Sequence, residues 1–253
     1  MTSAAFDLTG KRILVTGANT GIGQGIALAI GRAGGAVAGA GRSSVAETAA
    51  AMAALGATFT AHLCDLADHK AAQAMLHEVW TKTGPIDGLV NNAGIIRRED
   101  AVDFSEANWD EVMDLNLKSL FFLSQSFARR VLAEKRQGSI VNIGSVLSFQ
   151  GGIRVASYTA SKHGVLGLTQ LLACEWAGKG INVNGIAPGY IETNNTVALR
   201  ADPDRHAAIL NRIPAGRWGT PSDIGDAAVF LLAPAARYVH GAMIPVDGGW
   251  LAR

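Results

Sequence analysis

Short, wholly apolar runs recur along this chain at intervals that leave room for one helix between neighbours, and this rhythm restricts the fold more than any other feature. The runs lie at 13–15, 36–41, 58–64, 86–90, 139–143, 181–186 and 243–246. Helix-length segments at 22–33, 45–55, 67–83, 106–135 and 158–176 separate the first six. A strand with one wet face alternates apolar and polar residues. These runs do not alternate, so both faces are buried, as in a parallel sheet covered by helices on either side. Parallel strands also need helix-length crossovers, which the intervening segments supply. The expectation is an α/β chain: a single doubly wound domain over 1–253, with about seven parallel strands. No linker, repeat or low-complexity segment divides it. The stretch 190–218 is polar and without strand character, and long excursions of that kind often cover a site, so it is read as a substrate lid.

Charge removes several classes of function. Lys and Arg number 22 against 21 Asp and Glu, a net +1, so there is no electrostatic footprint for nucleic acid or an anionic membrane. Only 17% of residues are charged, below the usual ~25%, which implies surface buried between subunits and a homo-oligomer. The two cysteines, Cys64 and Cys174, exclude a disulfide scaffold and are read as buried thiols of a reduced compartment. Residues Met1–Asp7 lack the basic and apolar regions of a signal peptide. No uncharged apolar run reaches the ~18 residues of a membrane span. A cytoplasmic protein is expected.

The first run ends in Thr16-Gly17-Ala18-Asn19-Thr20-Gly21-Ile22-Gly23, with glycines spaced Gly-x3-Gly-x-Gly. Glycine lets the backbone approach a pyrophosphate, and the helix that follows points free N–H groups at the anion. Position after the first strand of an α/β pattern makes this a dinucleotide site. An acid about 20 residues on would bind the ribose diol of NAD. The second run instead ends Gly41-Arg42-Ser43-Ser44, with no acid, and a guanidinium suits the 2′-phosphate of NADP. The cofactor expectation is NAD(P), leaning to NADP through Arg42 and Ser43.

Tyr158 is the only one of three tyrosines with a lysine, Lys162, four residues on, which puts the two on one helix face. A nearby ammonium favours the phenolate, so Tyr158 is expected to titrate below the usual ~10 and to serve as general acid/base. Ser145 stands just past the fifth run, at the carboxyl end of a strand, where open α/β sheets build their sites.

Together these motifs resemble the short-chain dehydrogenase/reductase family over essentially the whole chain. The matching features are Thr16-Gly17-x3-Gly21-x-Gly23, Asp65, Asn91-Asn92-Ala93-Gly94, Asn116, Ser145, Tyr158-x3-Lys162 and Pro188-Gly189. The resemblance implies a Rossmann-type fold, an NAD(P)-dependent oxidoreductase acting on CH–OH groups, and assembly as a tetramer. It implies a catalytic tetrad of Asn116, Ser145, Tyr158 and Lys162. Ser145 would hold the substrate oxygen and Tyr158 would carry the proton. Lys162 would hold the nicotinamide ribose, and Asn116 would hold a water linking Lys162 to solvent. Cofactor contacts would also come from Gly17, Asn19, Thr20, Gly21, Ile22 and Gly23, with Asp65 and Leu66 flanking the adenine. Asn92, Ala93 and Gly94 would line the ribose, and Pro188, Gly189, Ile191 and Thr193 would meet the carboxamide.

Segments that do not serve the cofactor, at 96–100, 148–155, 193–196, 213–219 and 246–253, resemble family members that act on keto-deoxy sugar acids. Arginines bind carboxylates bidentately and amides suit vicinal hydroxyls. The candidate substrate residues are therefore Arg97, Ser145, Leu147, Gln150, Arg154, Asn194 and Asn195. Trp218 and Trp250 read as packing. The six histidines form no metal-ligand pattern, and Gly-x-Ser-x-Gly is absent, so no metal is expected. Two alternatives stay open: a 3-oxoacyl-carrier-protein reductase of the same family, and a dinucleotide-binding sensor without turnover.

Overall fold

A computed structural model describes residues 4–253; the part of the N-terminal reading that concerns Met1–Ser3 lies outside them. All seven apolar runs are strands: β1 (Arg12–Thr16), β2 (Ala36–Gly41), β3 (Phe59–Leu63), β4 (Gly88–Asn91), β5 (Gly138–Ile143), β6 (Ile181–Pro188) and β7 (Met243–Val246). They form one parallel sheet in the order β3-β2-β1-β4-β5-β6-β7. The order reverses between β1 and β4, and such a reversal opens a crevice at the carboxyl ends of the strands.

In chain order the helices are α1 (Gly21–Arg32), α2 (Ala46–Ala54), α3 (His69–Thr83), α4 (Glu106–Met113), α5 (Leu120–Ala133), α6 (Ala156–Trp176), α7 (Val197–Ala201), α8 (Pro203–Arg212) and α9 (Pro221–Leu232). Two apolar cores account for the lack of alternation in the strands. Ile13 and Val15 of β1 face a core shared with α1, α2 and α9. Leu14, between them, faces the core under α3, α5 and α6. Each β1 side chain is buried on one side or the other, as a doubly covered sheet requires.

Three elements differ from the sequence expectation. The helix α9 sits where none was assigned, just past the polar excursion. Its start is marked in the sequence: Thr220 accepts from the Asp223 N–H, Asp223 bonds back to Thr220, and Pro221 opens the helix, a capping box with proline at the first position. It crosses α1 closely, because a methyl at Gly225 would lie 2.7 Å from the Gly25 carbonyl oxygen. The expected helix at 106–135 is interrupted by a π-helical turn at Asp114–Ser119, and such turns often mark functional positions. Within 190–218, α7 and α8 form, and Ile191 makes an isolated parallel bridge to Gly219. One composition reading is also corrected: Cys64 is half-buried and Cys174 exposed. Cys174 lies one turn beyond exposed Leu171, on the outward stripe of α6.

A buried amide network stiffens the strand ends beneath the crevice. Asn91 donates to Ser124 (2.9 Å) and to the Asn142 carbonyl (2.9 Å), and Asn142 donates to Thr169 (3.0 Å). The network ties β4 and β5 to α5 and α6, and a fully paired buried network of this kind holds one arrangement.

Candidate active site

The glycine turn after β1 is shaped for a group that needs close backbone approach. Gly17 and Gly21 have φ of 66° and 55°, in the region that favours glycine. A methyl at Gly23 would lie 2.0 Å from the Gly17 carbonyl oxygen and 2.5 Å from the Asn92 amide nitrogen. Thr20 precedes α1 in extended conformation and makes no side-chain cap, so the first amides of α1 keep their donors for an anion. Asn92 holds the turn from β4, donating to the Thr16 (2.9 Å) and Gly17 (3.2 Å) carbonyls, and the Thr16 hydroxyl accepts from the Asn92 and Ala93 amides. This cradle fits a dinucleotide pyrophosphate.

At the tip of β2, Asn19 donates to the Ser43 hydroxyl (2.9 Å), and Arg42 and Ser43 are exposed. Asp65 is also exposed, its carboxylate accepting from the Ala67 amide. Leu66 departs from expectation. It is buried in the α3/α5 core beside Thr16 and Ala93, so its side chain is not free to flank an adenine.

Ser145 follows β5 and caps a single 3₁₀ turn, its Oγ accepting from the Leu147 amide at 3.1 Å. Ser148 accepts from the Ser145 amide and donates to the Lys162 carbonyl (2.8 Å), which fixes Ser145 against α6. On that helix Tyr158 and Lys162 share a face, with Nζ 5.5 Å from the Tyr158 ring centre. Nζ donates to the Ile143 carbonyl at 2.7 Å. Burial lowers the Lys162 pKa to about 8, because a low-dielectric site disfavours the ammonium. The expected lowering of Tyr158 does not hold here. Burial raises its pKa, opposed by a hydrogen bond with Ser145 and by the Arg98 charge, while Lys162 points past the ring to Ile143.

Asn116 sits in the π-helical turn and is buried. Its Oδ1 accepts from the Ile95 amide (2.9 Å), and its Nδ2 donates to the Ile95 carbonyl (2.9 Å) and to Ser161 (3.3 Å). The side chain is thus committed to the backbone after β4 and to α6, and its amide is not free to hold the expected water.

These elements border one cleft of about 1030 Å³. The whole glycine turn, Asn92–Gly94, Ser145, Tyr158 and Lys162 line it, as do Pro188, Gly189, Ile191 and Thr193. Of the candidate substrate residues, Leu147, Gln150, Asn194 and Asn195 face it. Arg97 and Arg154 do not. Arg97 makes a two-point pair with Glu111 (2.8 and 2.6 Å), and Arg154 meets Asp100 at 3.0 Å; each is claimed by an acid that the fold brings alongside. Asn116, Arg42, Ser43, Asp65 and Leu66 are likewise outside the cleft lining. Trp218 and Trp250 are buried, as packing would have them, each against Tyr190 with ring centres 5.5 and 4.6 Å away. Trp250 and Tyr190 also reach the cleft wall. Sequence reasoning missed Arg98, Arg205 and Arg212, which line the cleft as well. The signal for the last two was the i, i+3, i+4, i+7 spacing of 205, 208, 209 and 212 inside a segment read as irregular.

Residues 17–251 match the family model described as Enoyl-(Acyl carrier protein) reductase. The chain is 54% identical over 248 residues to 2-dehydro-3-deoxy-D-gluconate 5-dehydrogenase of Dickeya dadantii, covering 98% of each chain. It is 54% identical over 253 residues to the enzyme of the same name from Escherichia coli, covering 100% of each. A crystal structure from Agrobacterium tumefaciens, provisionally described as a 2-deoxy-D-gluconate 3-dehydrogenase with bound NADP, shares 60% identity and superimposes with a TM-score of 0.94, covering 99% of this chain and 100% of that one. With the parallel sheet, the glycine cradle and the Ser145, Tyr158 and Lys162 arrangement, these likenesses establish that the chain belongs to the short-chain dehydrogenase/reductase family of NAD(P)-dependent oxidoreductases.

Proposed function

We propose that this chain is a 2-dehydro-3-deoxy-D-gluconate 5-dehydrogenase, also called 2-deoxy-D-gluconate 3-dehydrogenase, which interconverts a ketone and a secondary alcohol on a keto-deoxy sugar acid. The observation that carries the reading is a single cleft with the glycine cradle and Tyr158 on its walls and amides and arginines on the remaining surface. When bound, the dinucleotide supplies or accepts the hydride. Ser145 hydrogen-bonds the substrate oxygen. Tyr158 gives that oxygen a proton during reduction and takes one during oxidation. Lys162, largely ammonium at neutral pH with its pKa near 8, holds the nicotinamide ribose. Asn116 is a positioning residue: it clamps Ile95 to α6 and so sets the wall opposite Tyr158. The cleft surface argues against an acyl-carrier substrate, since Gln150, Asn194, Asn195 and Arg98 offer no continuous apolar channel for a long acyl chain. Steady-state assays with a panel of sugar acids and both nicotinamides test the reading. Keto-deoxy gluconates should give the highest kcat/KM, and turnover of acyl β-ketoesters alone would overturn it.

Cofactor choice follows from the β2 tip. Arg42 is exposed there beside Ser43, and no carboxylate lies alongside to repel a 2′-phosphate. The Agrobacterium relative with bound NADP agrees with that preference. A charge-assisted contact is worth about 1.5–3 kcal/mol, or roughly ten- to hundredfold in affinity. Arg42→Ala should weaken NADP binding by that factor and leave NAD nearly unchanged. Gly41→Asp, whose Cβ has room 3.4 Å from the Asn19 side chain, should reverse the preference. If the parent protein has a much higher kcat/KM with NAD, Arg42 points to solvent and the turn shape governs selection.

The assembly we infer is a homotetramer in the cytoplasm. Among the described residues no helix is long and apolar enough to cross a membrane. Val102, Ile153, Leu171 and Tyr238 are exposed, and apolar groups of this size are covered at subunit contacts. Light scattering at micromolar concentration should give about four times the 26.3 kDa of one chain; a monomer mass would remove the proposal.

A further inference from the structure

α8 turns one face to the cleft: Arg205, Ala208, Ile209 and Arg212 all line it, the stripe that i, i+3, i+4, i+7 spacing produces. The Arg212 guanidinium lies over the Trp250 ring, 3.9 Å from its centre. Stacking on an aromatic face leaves the edge of the planar fork free to donate. Arg98 lines the cleft as well. Arg97, Arg154 and Arg217 each have a carboxylate within 3.0 Å. Among the described residues, Arg98, Arg205 and Arg212 have no such ion pair. One acid, Asp204, shares the lining with them. Three guanidiniums around one cleft repel one another, and that cost is offset only when an anion sits among them.

The three are not equivalent in position. Burial raises the Tyr190 pKa, and the charges of Arg212, Arg205 and Arg98 oppose it. Burial also raises Tyr158, but of the arginines only Arg98 opposes it there, after Ser145. The α8 pair therefore stands at the Tyr190 end of the cleft, away from the proton-transfer group. A sugar acid has this same polarity, with its carboxylate several bonds from the carbon that changes oxidation state.

We propose that Arg205 and Arg212 form a clamp for the substrate carboxylate, and that α8 makes this dehydrogenase select acids over neutral polyols. The clamp rests on the sugar-acid reading above. Its test does not need turnover: isothermal titration calorimetry of the NADPH-saturated protein, first with D-gluconate and then with D-glucitol, which keeps the carbon chain but lacks the carboxylate. NADPH cannot oxidise either probe, and it keeps anions out of the cofactor site. The parent protein should bind D-gluconate at least tenfold more tightly than D-glucitol. Arg212→Ala and Arg205→Met should each weaken D-gluconate about ten- to hundredfold and leave D-glucitol and NADPH affinity unchanged. Arg212→Lys should recover part of the loss. Equal binding of both probes by the parent, no detectable D-gluconate binding, or equal loss of both probes in each variant would overturn the clamp. Charge-selective binding without oxidation of any sugar acid would leave the clamp standing and remove the proposed activity. Sugar-acid turnover with unchanged D-gluconate affinity in both variants would do the reverse.

Discussion

Tyr158→Phe is expected to lower turnover by roughly 10²–10⁴-fold, the usual contribution of a positioned proton donor, with dinucleotide affinity close to that of the parent. The substitution removes one oxygen from a buried ring and leaves α6, Lys162 and the glycine cradle untouched, so a loss of rate would not be a loss of fold. The pH dependence gives a second reading. Burial holds the Tyr158 phenol above its usual range, so the residue is protonated at neutral pH and ready to act as an acid. Reduction should therefore run at a steady rate through neutrality and fall only at alkaline pH. Oxidation needs the deprotonated form and should speed up as pH rises. Lys162, with its pKa about 8, loses its charge within the same alkaline interval, which should raise KM for the cofactor as the ammonium disappears. Rate profiles in both directions for parent and variant would check this. Near-full turnover by Tyr158→Phe would transfer the proton role elsewhere.

The second large effect is expected from a single methyl group. Gly23→Ala would drive Cβ to 2.0 Å from the Gly17 carbonyl oxygen and 2.7 Å from its carbon. Both are backbone atoms, so the turn itself must move. Overpacking of this kind costs about 1–3 kcal/mol of stability. The larger consequence is for binding. A displaced turn loses two or more amide contacts to phosphate, each about 1.5–3 kcal/mol when charge-assisted, and dinucleotide affinity should fall roughly 10²–10⁴-fold. Calorimetric titration beside a thermal melt separates the two effects. Unchanged affinity in a folded variant would mean that the pyrophosphate does not rest on this turn.

The parts of the molecule legible in the sequence are those fixed by short-range pattern. Seven strands follow from continuous apolar runs, because burial on both faces leaves a mark that survives any detail of packing. The cradle and the Tyr158–Lys162 pair follow from spacing alone. Pairing by distant residues was not legible. Arg97 and Arg98 are adjacent and chemically identical, yet only Arg98 reaches the cleft, because folding sets Glu111 beside Arg97. The phenol of Tyr158 was expected to feel Lys162 first, but burial, which no local spacing encodes, outweighs it. α9 was missed although Thr220-Pro221-Ser222-Asp223 announces it, since attention to the polar excursion before it hid an ordinary helix start.

The π-helical turn at Asp114–Ser119 also fixes how this chain can vary in length. A π turn accommodates one residue more than the α-helix around it, and each residue added to or removed from a helix rotates everything beyond it by about 100°. Deleting one residue there would let α4 and α5 run as one straight helix. The rotation would then carry Leu123, Phe127 and Val131 out of the core they fill, or else carry Asn116 away from Ile95. Both cannot be kept with one residue fewer. Segments 98–105 and 134–137 can absorb insertions at the surface, but between Glu106 and Ala133 the residue count itself is part of what the sequence specifies.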